Sequence, residues 1–311
     1  MPETIYIATR ESPLALWQAN TVRDQLRNLY PERSFELLPK TTEGDQKQGT
    51  SLAKIGGKGL FLKELESALV NKSAHMAVHS MKDVPAHLPD GLEICAVLER
   101  HNPMDAFIST QFDSLKALPD EAVIGTCSPR RQAQLLNFNP TFNIVDMRGN
   151  VSTRLAKLDK KECDATLLAC AGLERLQLAH RITEVIDTNI CLPAVTQGTI
   201  GIEIRANDAN MQALLAPLNH EATMLRTTAE RAFCATLNGG CSAPIAAYAT
   251  LNGNTINMTG RVIALDGSTM LESRAAMPSS HAEELGRSMA EELMEKGAQT
   301  LLDNAELGLT L

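Results

Sequence analysis

Short apolar runs alternate with longer amphipathic stretches through the first two thirds of the chain, the pattern of βαβ units around a mostly parallel sheet. Thr4–Thr9 reads as a first strand. Ser12-Pro13 reads as an N-cap with proline at the first helical position, opening a helix to about Leu29. Phe35–Lys40 predicts a strand, and Gly59/Leu60 to Asn71 a helix with apolar Leu62, Leu65 and Leu69. Ala74–His79 and Leu92–Leu98 predict further strands, and polar Glu99–Met104, with Pro103, is a candidate linker. The pattern then restarts. Strands at Ala122–Thr126, Asn143–Met147 and Ala165–Ala169 alternate with helices at Pro129–Phe138, Val151–Lys160 and Leu173–Leu176. A second candidate hinge contains Pro193 and leads to Gln197-Gly198, followed by a strand over Ile200–Arg205 and a helix to about Leu215. Near Pro217–His220 the style changes. One helix (Glu221–Leu237) ends at Gly239-Gly240, strands follow at Pro244–Thr250, Thr255–Leu265 and Thr269–Arg274, and a long helix runs from His281 to Leu302. Strands followed by a helix predict a small α+β domain at the end of an α/β chain.

Length supports that division, since 311 residues suggest two or three domains. No apolar run approaches the roughly 20 residues that span a bilayer. The N-terminus lacks a basic segment followed by a long apolar one, so no signal peptide is expected. Cys95, Cys127, Cys163, Cys170, Cys191, Cys234 and Cys241 are odd in number and include no Cys-x-x-Cys pair, which argues against a disulfide scaffold or a zinc site and for a reducing cytoplasm. The net charge of −8 argues against a nucleic-acid partner. It is unevenly spread, with eight Lys/Arg against five Asp/Glu from Ser128 to Arg175, so either an anion site or solvated helix faces lie there.

Three Arg-bearing turns sharpen the first reading. Thr9-Arg10-Glu11-Ser12, Thr126-Cys127-Ser128-Pro129-Arg130-Arg131 and Arg148-Gly149-Asn150, with Arg154 one turn on, each join a predicted strand to a predicted helix. Ligands of open α/β sheets bind beyond the carboxyl ends of strands, where helix N-termini offer N–H groups to anions. Arginine adds a planar fork that takes a carboxylate in two hydrogen bonds. The bland alternative is that each Arg pairs with a local Asp or Glu. Asp83, after Lys82 and just before Pro85, sits where a carboxylate among cations could stabilise positive charge or shuttle a proton, or merely cap a turn. His75 and His79 share a strand face, but without acidic or Cys partners at ligand spacing they read as structural rather than metal-binding. Thr41–Gly59 is polar and glycine-rich, either a lid or a merely mobile loop. Cys241 in Gly239-Gly240-Cys241 occupies a turn in which a thiolate could react or stay inert, and Cys127 in the Arg turn is its rival.

Taken together, these motifs resemble the hydroxymethylbilane synthase (porphobilinogen deaminase) family over nearly the whole chain. The resemblance rests on Ala8-Thr9-Arg10-Glu11-Ser12-Pro13-Leu14-Ala15-Leu16-Trp17-Gln18, Gly56-Gly57-Lys58-Gly59-Leu60-Phe61-Leu62-Lys63-Glu64-Leu65-Glu66 and Ala77-Val78-His79-Ser80-Met81-Lys82-Asp83-Val84-Pro85. The Arg130-Arg131 turn, Arg148-Gly149-Asn150-Val151, Ala171-Gly172-Leu173-Glu174-Arg175-Leu176, and Glu230-Arg231 with Gly239-Gly240-Cys241 and Pro244 complete it. It implies two α/β domains like type II periplasmic binding proteins with a cleft between them, plus a small α+β C-terminal domain. The implied divisions are 1–99 with 199–217, 104–194, and 221–311, the last carrying the cofactor cysteine. It implies a transferase that condenses four porphobilinogen molecules head to tail on a dipyrromethane primer. Ammonia is lost at each step, and the linear tetrapyrrole hydroxymethylbilane is released. The primer would be a thioether on Cys241, with Asp83 and Lys82 catalytic. Ser80, Lys82, Asp83, Thr126, Ser128, Arg130, Arg131, Arg148 and Gly149 would hold it. Substrate carboxylates would meet Arg10, Ser12, Gln18, Arg148, Arg154, Arg175 and Gln197, and Lys58 and Phe61 would border a lid. A cytoplasmic monomer without metal, nucleic-acid or membrane partner is expected. The competing readings are a two-lobed small-anion binding protein and an inactive relative; retained Lys82-Asp83 and Cys241 argue against both. The chain departs from the family pattern at Thr196-Gln197-Gly198-Thr199 (usually Gly-Gln-Gly-Ala), at Cys127-Ser128-Pro129 (Ser-Ser-Leu), at His101-Asn102-Pro103-Met104-Asp105 (Glu-Asp-Pro-Arg-Asp) and at His75, usually Asp.

Overall fold

The computed structural model describes residues 4–42, 62–240 and 243–308. Within these, 4–42, 62–101 and 199–224 form one compact unit, and 102–198 with 225–240 and 243–308 form a second. Lys58, Phe61, Cys241 and most of the Thr41–Gly59 segment lie outside the described residues.

Unit one opens with β1 (Thr4–Arg10), α1 (Pro13–Leu29), β2 (Ser34–Lys40), α2 (Lys63–Val70), β3 (Met76–Ser80) and β4 (Leu92–Val97). The N-cap reading holds at α1, where Ser12 accepts from the Ala15 N–H and Pro13 occupies the first turn. The chain leaves this unit and makes β5 (Asp105–Ser109), β6 (Val123–Gly125), α3 (Pro129–Phe138), β7 (Asn143–Val145), α4 (Val151–Asp159), β8 (Ala165–Ala169), α5 (Cys170–Arg175) and β9 (Glu184–Val185). It returns to unit one as β10 (Ile200–Arg205) and α6 (Ala209–Leu215). Then follow α7 (Glu221–Thr236), β11 (Ile245–Asn252), β12 (Thr255–Ile263), β13 (Met270–Pro278), α8 (Ala282–Glu295) and α9 (Ala298–Leu307).

Each α/β portion holds a five-stranded, mostly parallel sheet. The orders are β2-β1-β3-β10-β4 and β7-β6-β8-β5-β9. One strand in each runs antiparallel to its neighbours: β10 in the first sheet, β5 in the second. Both are the strands made directly after a crossing, so each crossing delivers the chain to the edge where the parallel strands end. The first sheet is covered on both faces. Ile5, Ile7 and Val78 pack with Val22 and Leu26 of α1, while Ala8 and Ala77 pack with Leu65 and Leu69 of α2. Burial on both faces explains why these strands read as continuous apolar runs.

The last sheet, β11-β12-β13, is antiparallel and packs on α7, α8 and α9 through Phe233, Leu285, Met289 and Leu293. It shares a unit with the second α/β sheet because the β12–β13 turn lies on α3. Gln132 Nε2 donates to Leu265 O at 3.3 Å and Asn137 Nδ2 to Gly267 O at 2.8 Å. Gly267 has φ +75, and a Cβ there would fall 2.2 Å from Asn137 N, so this approach requires glycine.

The α/β class with a small α+β end is as expected, and the strand at Ala165–Ala169 and the helix at Pro129–Phe138 match to the residue. Three expectations are corrected. The long C-terminal helix is two helices, broken where Gly297 takes φ 95. The helix expected over Leu173–Leu176 begins earlier, at Cys170. Strands β5 and β9 lie where no strand was expected: β5 follows the Pro103 linker at once, and β9 is two residues long.

Candidate active site

In unit one, β1 and β3 run parallel, so their carboxyl ends share one edge. Arg10 ends β1, and the turn after it caps α1 through Ser12. Ser80 ends β3, and Met81–Asp83 is a single 3-10 turn carrying Lys82 and Asp83. That turn is fixed from below, because the Met81 N–H donates to Thr199 O at 3.0 Å at the start of β10. Arg10, Ser12, Gln18, Ser80 and Asp83 line one small pocket at this edge. Gln18, buried on α1, donates from Nε2 to Ser80 Oγ at 2.8 Å, which joins the two motifs across 62 positions of sequence. Lys82 is half-buried beside Asp83 and is not among the pocket's lining residues.

The histidines are held structurally. His79 Nε2 lies 2.8 Å from Glu203 Oε2, both buried, and His75 Nδ1 accepts from the Tyr6 N–H at 3.0 Å. Burial, reinforced by the charge of Glu203, pushes the Glu66 carboxyl up from its ordinary value.

In unit two the same logic gathers three turns. Thr126–Ser128 follows β6, Arg148–Asn150 follows β7, and α5 follows β8, with these strands mutually parallel. Ser128 caps α3 by accepting from the Arg131 N–H, and Asn150 caps α4 by accepting from the Thr153 N–H. Gly149 takes φ +120, and a Cβ there would meet Thr153 Cγ2 at 2.6 Å. Arg148, partly exposed, pairs with Asp146 at 2.7 Å, the local pairing weighed as the bland alternative. Arg154 donates from Nε to Gly149 O at 2.8 Å and from Nη2 to Cys127 Sγ at 3.4 Å, and burial lowers its pKa.

Arg130 and Arg131 turn inward. Both are buried, and both meet Asp105, from Nη2 to Oδ2 and Oδ1 respectively, each at 2.7 Å. Arg130 also donates to Leu192 O at 2.6 Å and Arg131 to Leu167 O at 2.9 Å. Burial alone would raise the Asp105 carboxyl, yet the two guanidiniums hold it far below the usual carboxylate range. Gln197, expected at the substrate, donates to Pro103 O at 2.6 Å and Asp105 Oδ1 at 3.0 Å. Arg175 is buried and donates to Gly198 O at 2.7 Å; burial brings its pKa down to about 10.

Asp105 is the site residue that sequence reasoning missed. Its signal was an acid opening an apolar run straight after the Pro103 linker, a position a solvated strand end would also occupy.

Residues 5–213 match the profile of the porphobilinogen deaminase dipyromethane cofactor binding domain, and residues 224–295 match that of the porphobilinogen deaminase C-terminal domain. The chain belongs to the porphobilinogen deaminase family. Its activity is therefore that of hydroxymethylbilane synthase, a transferase of tetrapyrrole biosynthesis that acts on porphobilinogen with a dipyrromethane cofactor. The residues present fit such a group, since each pyrrole bears an acetate and a propionate. Two buried guanidiniums share the carboxylate of Asp105, which leaves the pair one positive charge in excess, and Arg131 lies within electrostatic reach of Arg154 in the first turns of α4.

The solved structures similar to this chain are distant from it. The periplasmic VFT2 domain of Bordetella pertussis BvgS is 15% identical, covering 68% of this chain and 85% of that one, with a TM-score of 0.42. The periplasmic aliphatic sulphonate binding protein SsuA of Escherichia coli is 12% identical, covering 76% and 71%, with a TM-score of 0.42. The functional conclusion rests on the deaminase profiles alone.

Proposed function

We propose that Asp83 and Lys82 carry the chemistry of this deaminase and that Cys241 holds the dipyrromethane as a thioether. The pocket that collects Asp83 with Arg10, Ser12, Gln18 and Ser80 supports the role of Asp83, and the match to the dipyromethane cofactor binding domain supports the bound cofactor. When bound, the dipyrromethane supplies the free pyrrole α-carbon to which the first porphobilinogen is joined. Porphobilinogen gives up its amino group as ammonia, leaving a cation on the exocyclic carbon. The Asp83 carboxylate accepts a hydrogen bond from a pyrrole N–H and stabilises that positive charge. It then takes the proton that the attacked α-carbon loses as the new carbon–carbon bond forms. Lys82, Arg10, Ser12 and Gln18 orient carboxylates of substrate and growing chain in unit one. Thr126, Ser128, Arg130, Arg131, Arg148, Gly149, Arg154, Arg175 and Gln197 of unit two are assigned to carboxylates of cofactor and substrate.

The division into 1–99 with 199–217, 104–194, and 221–311 belongs to this proposal. So does work as a cytoplasmic monomer without nucleic-acid or membrane partner, which the net charge of −8 supports. Among the described residues no helix is long and apolar enough to cross a membrane.

The direct test is Asp83→Asn, which keeps the shape of the turn and removes its charge. Porphobilinogen should still bind, with kcat lowered by roughly 10²–10⁴. Undiminished turnover would remove Asp83 from the mechanism.

A further inference from the structure

Asp105 opens β5, and antiparallel pairing with Ala169 sets it at the edge where β6 and β8 end. There it gathers four side chains. Oδ1 accepts from Arg131 Nη2 at 2.7 Å and from Gln197 Nε2 at 3.0 Å. Oδ2 meets Arg130 Nη2 at 2.7 Å and accepts from Cys191 Sγ at 3.3 Å. All five residues are buried.

A buried ion pair is a weak source of stability compared with an apolar core, and a buried cluster with one cation uncompensated is weaker still. Charge of this kind is better explained by a ligand that completes it. Resting on the proposed role of Arg130 and Arg131 toward the primer, we infer that Asp105 is a positioning residue of this deaminase. It holds both guanidiniums in single rotamers and reduces their joint charge to one, so that one ligand carboxylate balances the cluster. Through Gln197, which also donates to Pro103 O at 2.6 Å, it ties the segment by which the chain leaves unit two to the segment by which it enters. The anion site and both crossings thus share one carboxylate.

The test is a double-mutant cycle on holoenzyme with Asp105→Asn, Arg131→Met and the pair. It reads KM and kcat for porphobilinogen and, by intact mass, the fraction of molecules carrying dipyrromethane. Each single variant should lower the loaded fraction and raise KM at least about tenfold in the molecules that remain loaded. The pair should be clearly less severe than the product of its members, because part of what Asp105 does passes through Arg131. Effects that multiply would overturn the inference, as would an Asp105→Asn protein that melts earlier but keeps wild-type loading and KM. Should Asp105→Asn not fold, Gln197→Leu takes its place in the cycle, with the same non-additivity expected and multiplying effects again overturning it. A wild-type protein without dipyrromethane or turnover would sink the underlying reading of the site. A loaded, active wild type with independent effects sinks only the role of Asp105.

Discussion

Asp105→Asn removes the carboxylate that Arg130 and Arg131 share, in a place nearly closed to water: Asp105 is 0% exposed and the arginines 4% and 5%. The amide keeps the shape of the carboxylate but leaves two buried cations facing it. Removing one partner of a buried pair costs about 3–5 kcal/mol. Set against total stabilities of about 5–15 kcal/mol, that is a large fraction. At roughly 2–4 °C per kcal/mol for a unit of this size, Tm should fall by about 6–20 °C. The pH dependence has a definite sign. The folded Asp105 titrates below its ordinary value of 3.8, so its contribution is complete above that value and is lost only as pH falls through the lower, folded one. The gap between wild type and variant should therefore stay level from about pH 8 to about pH 5 and close only in stronger acid. Thermal and urea unfolding of both proteins across that range measure it. A difference below about 1 kcal/mol at pH 7 would refute the charge reasoning, as would a gap that widens on acidification.

Two further outcomes are expected. Thr196 is a β-branched residue at φ 59, where the family pattern has glycine, and left-handed backbone costs such a residue roughly 1–2 kcal/mol. Thr196→Gly should raise the urea midpoint slightly or leave it unchanged; a loss above about 1 kcal/mol would mean that the Thr196 side chain contributes more than its backbone costs. Burial pushes the Cys170 and Cys191 thiols up to about 12 and Cys234 up to about 11, so these should resist alkylation in native protein at pH 8 and react once it is unfolded. Peptide mapping after a short iodoacetamide pulse reads this directly, and native labelling at Cys191 would contradict the packing around Asp105.

What was legible in the sequence was whatever local chemistry decides. Ser12-Pro13 marked the start of α1 because a cap and a preset φ act within one turn, and the structure shows the same chemistry at Ser128-Pro129 of α3. The alternation of apolar and amphipathic stretches was enough for two α/β portions, because parallel strands covered on both faces leave uninterrupted apolar runs. β5 was hidden because its identity depends on pairing with β8, which lies some 60 residues further on. The arginine turns were correctly placed at the carboxyl ends of strands. The inward aim of Arg130 and Arg131 was not readable, since it is decided by Asp105, a partner 25 and 26 residues away that the sheet brings to them. Gln197 was singled out by its place beside glycine in a hinge, but the bonds to Pro103 and Asp105 arise only when both crossings meet.

Intact mass tests the central claim most directly. Protein made in a porphobilinogen-producing cell should be heavier than its sequence by one dipyrromethane, and Cys241→Ala protein should lack the increment. An unmodified wild-type mass, or an increment that persists in Cys241→Ala, would contradict the covalent primer on which the account depends.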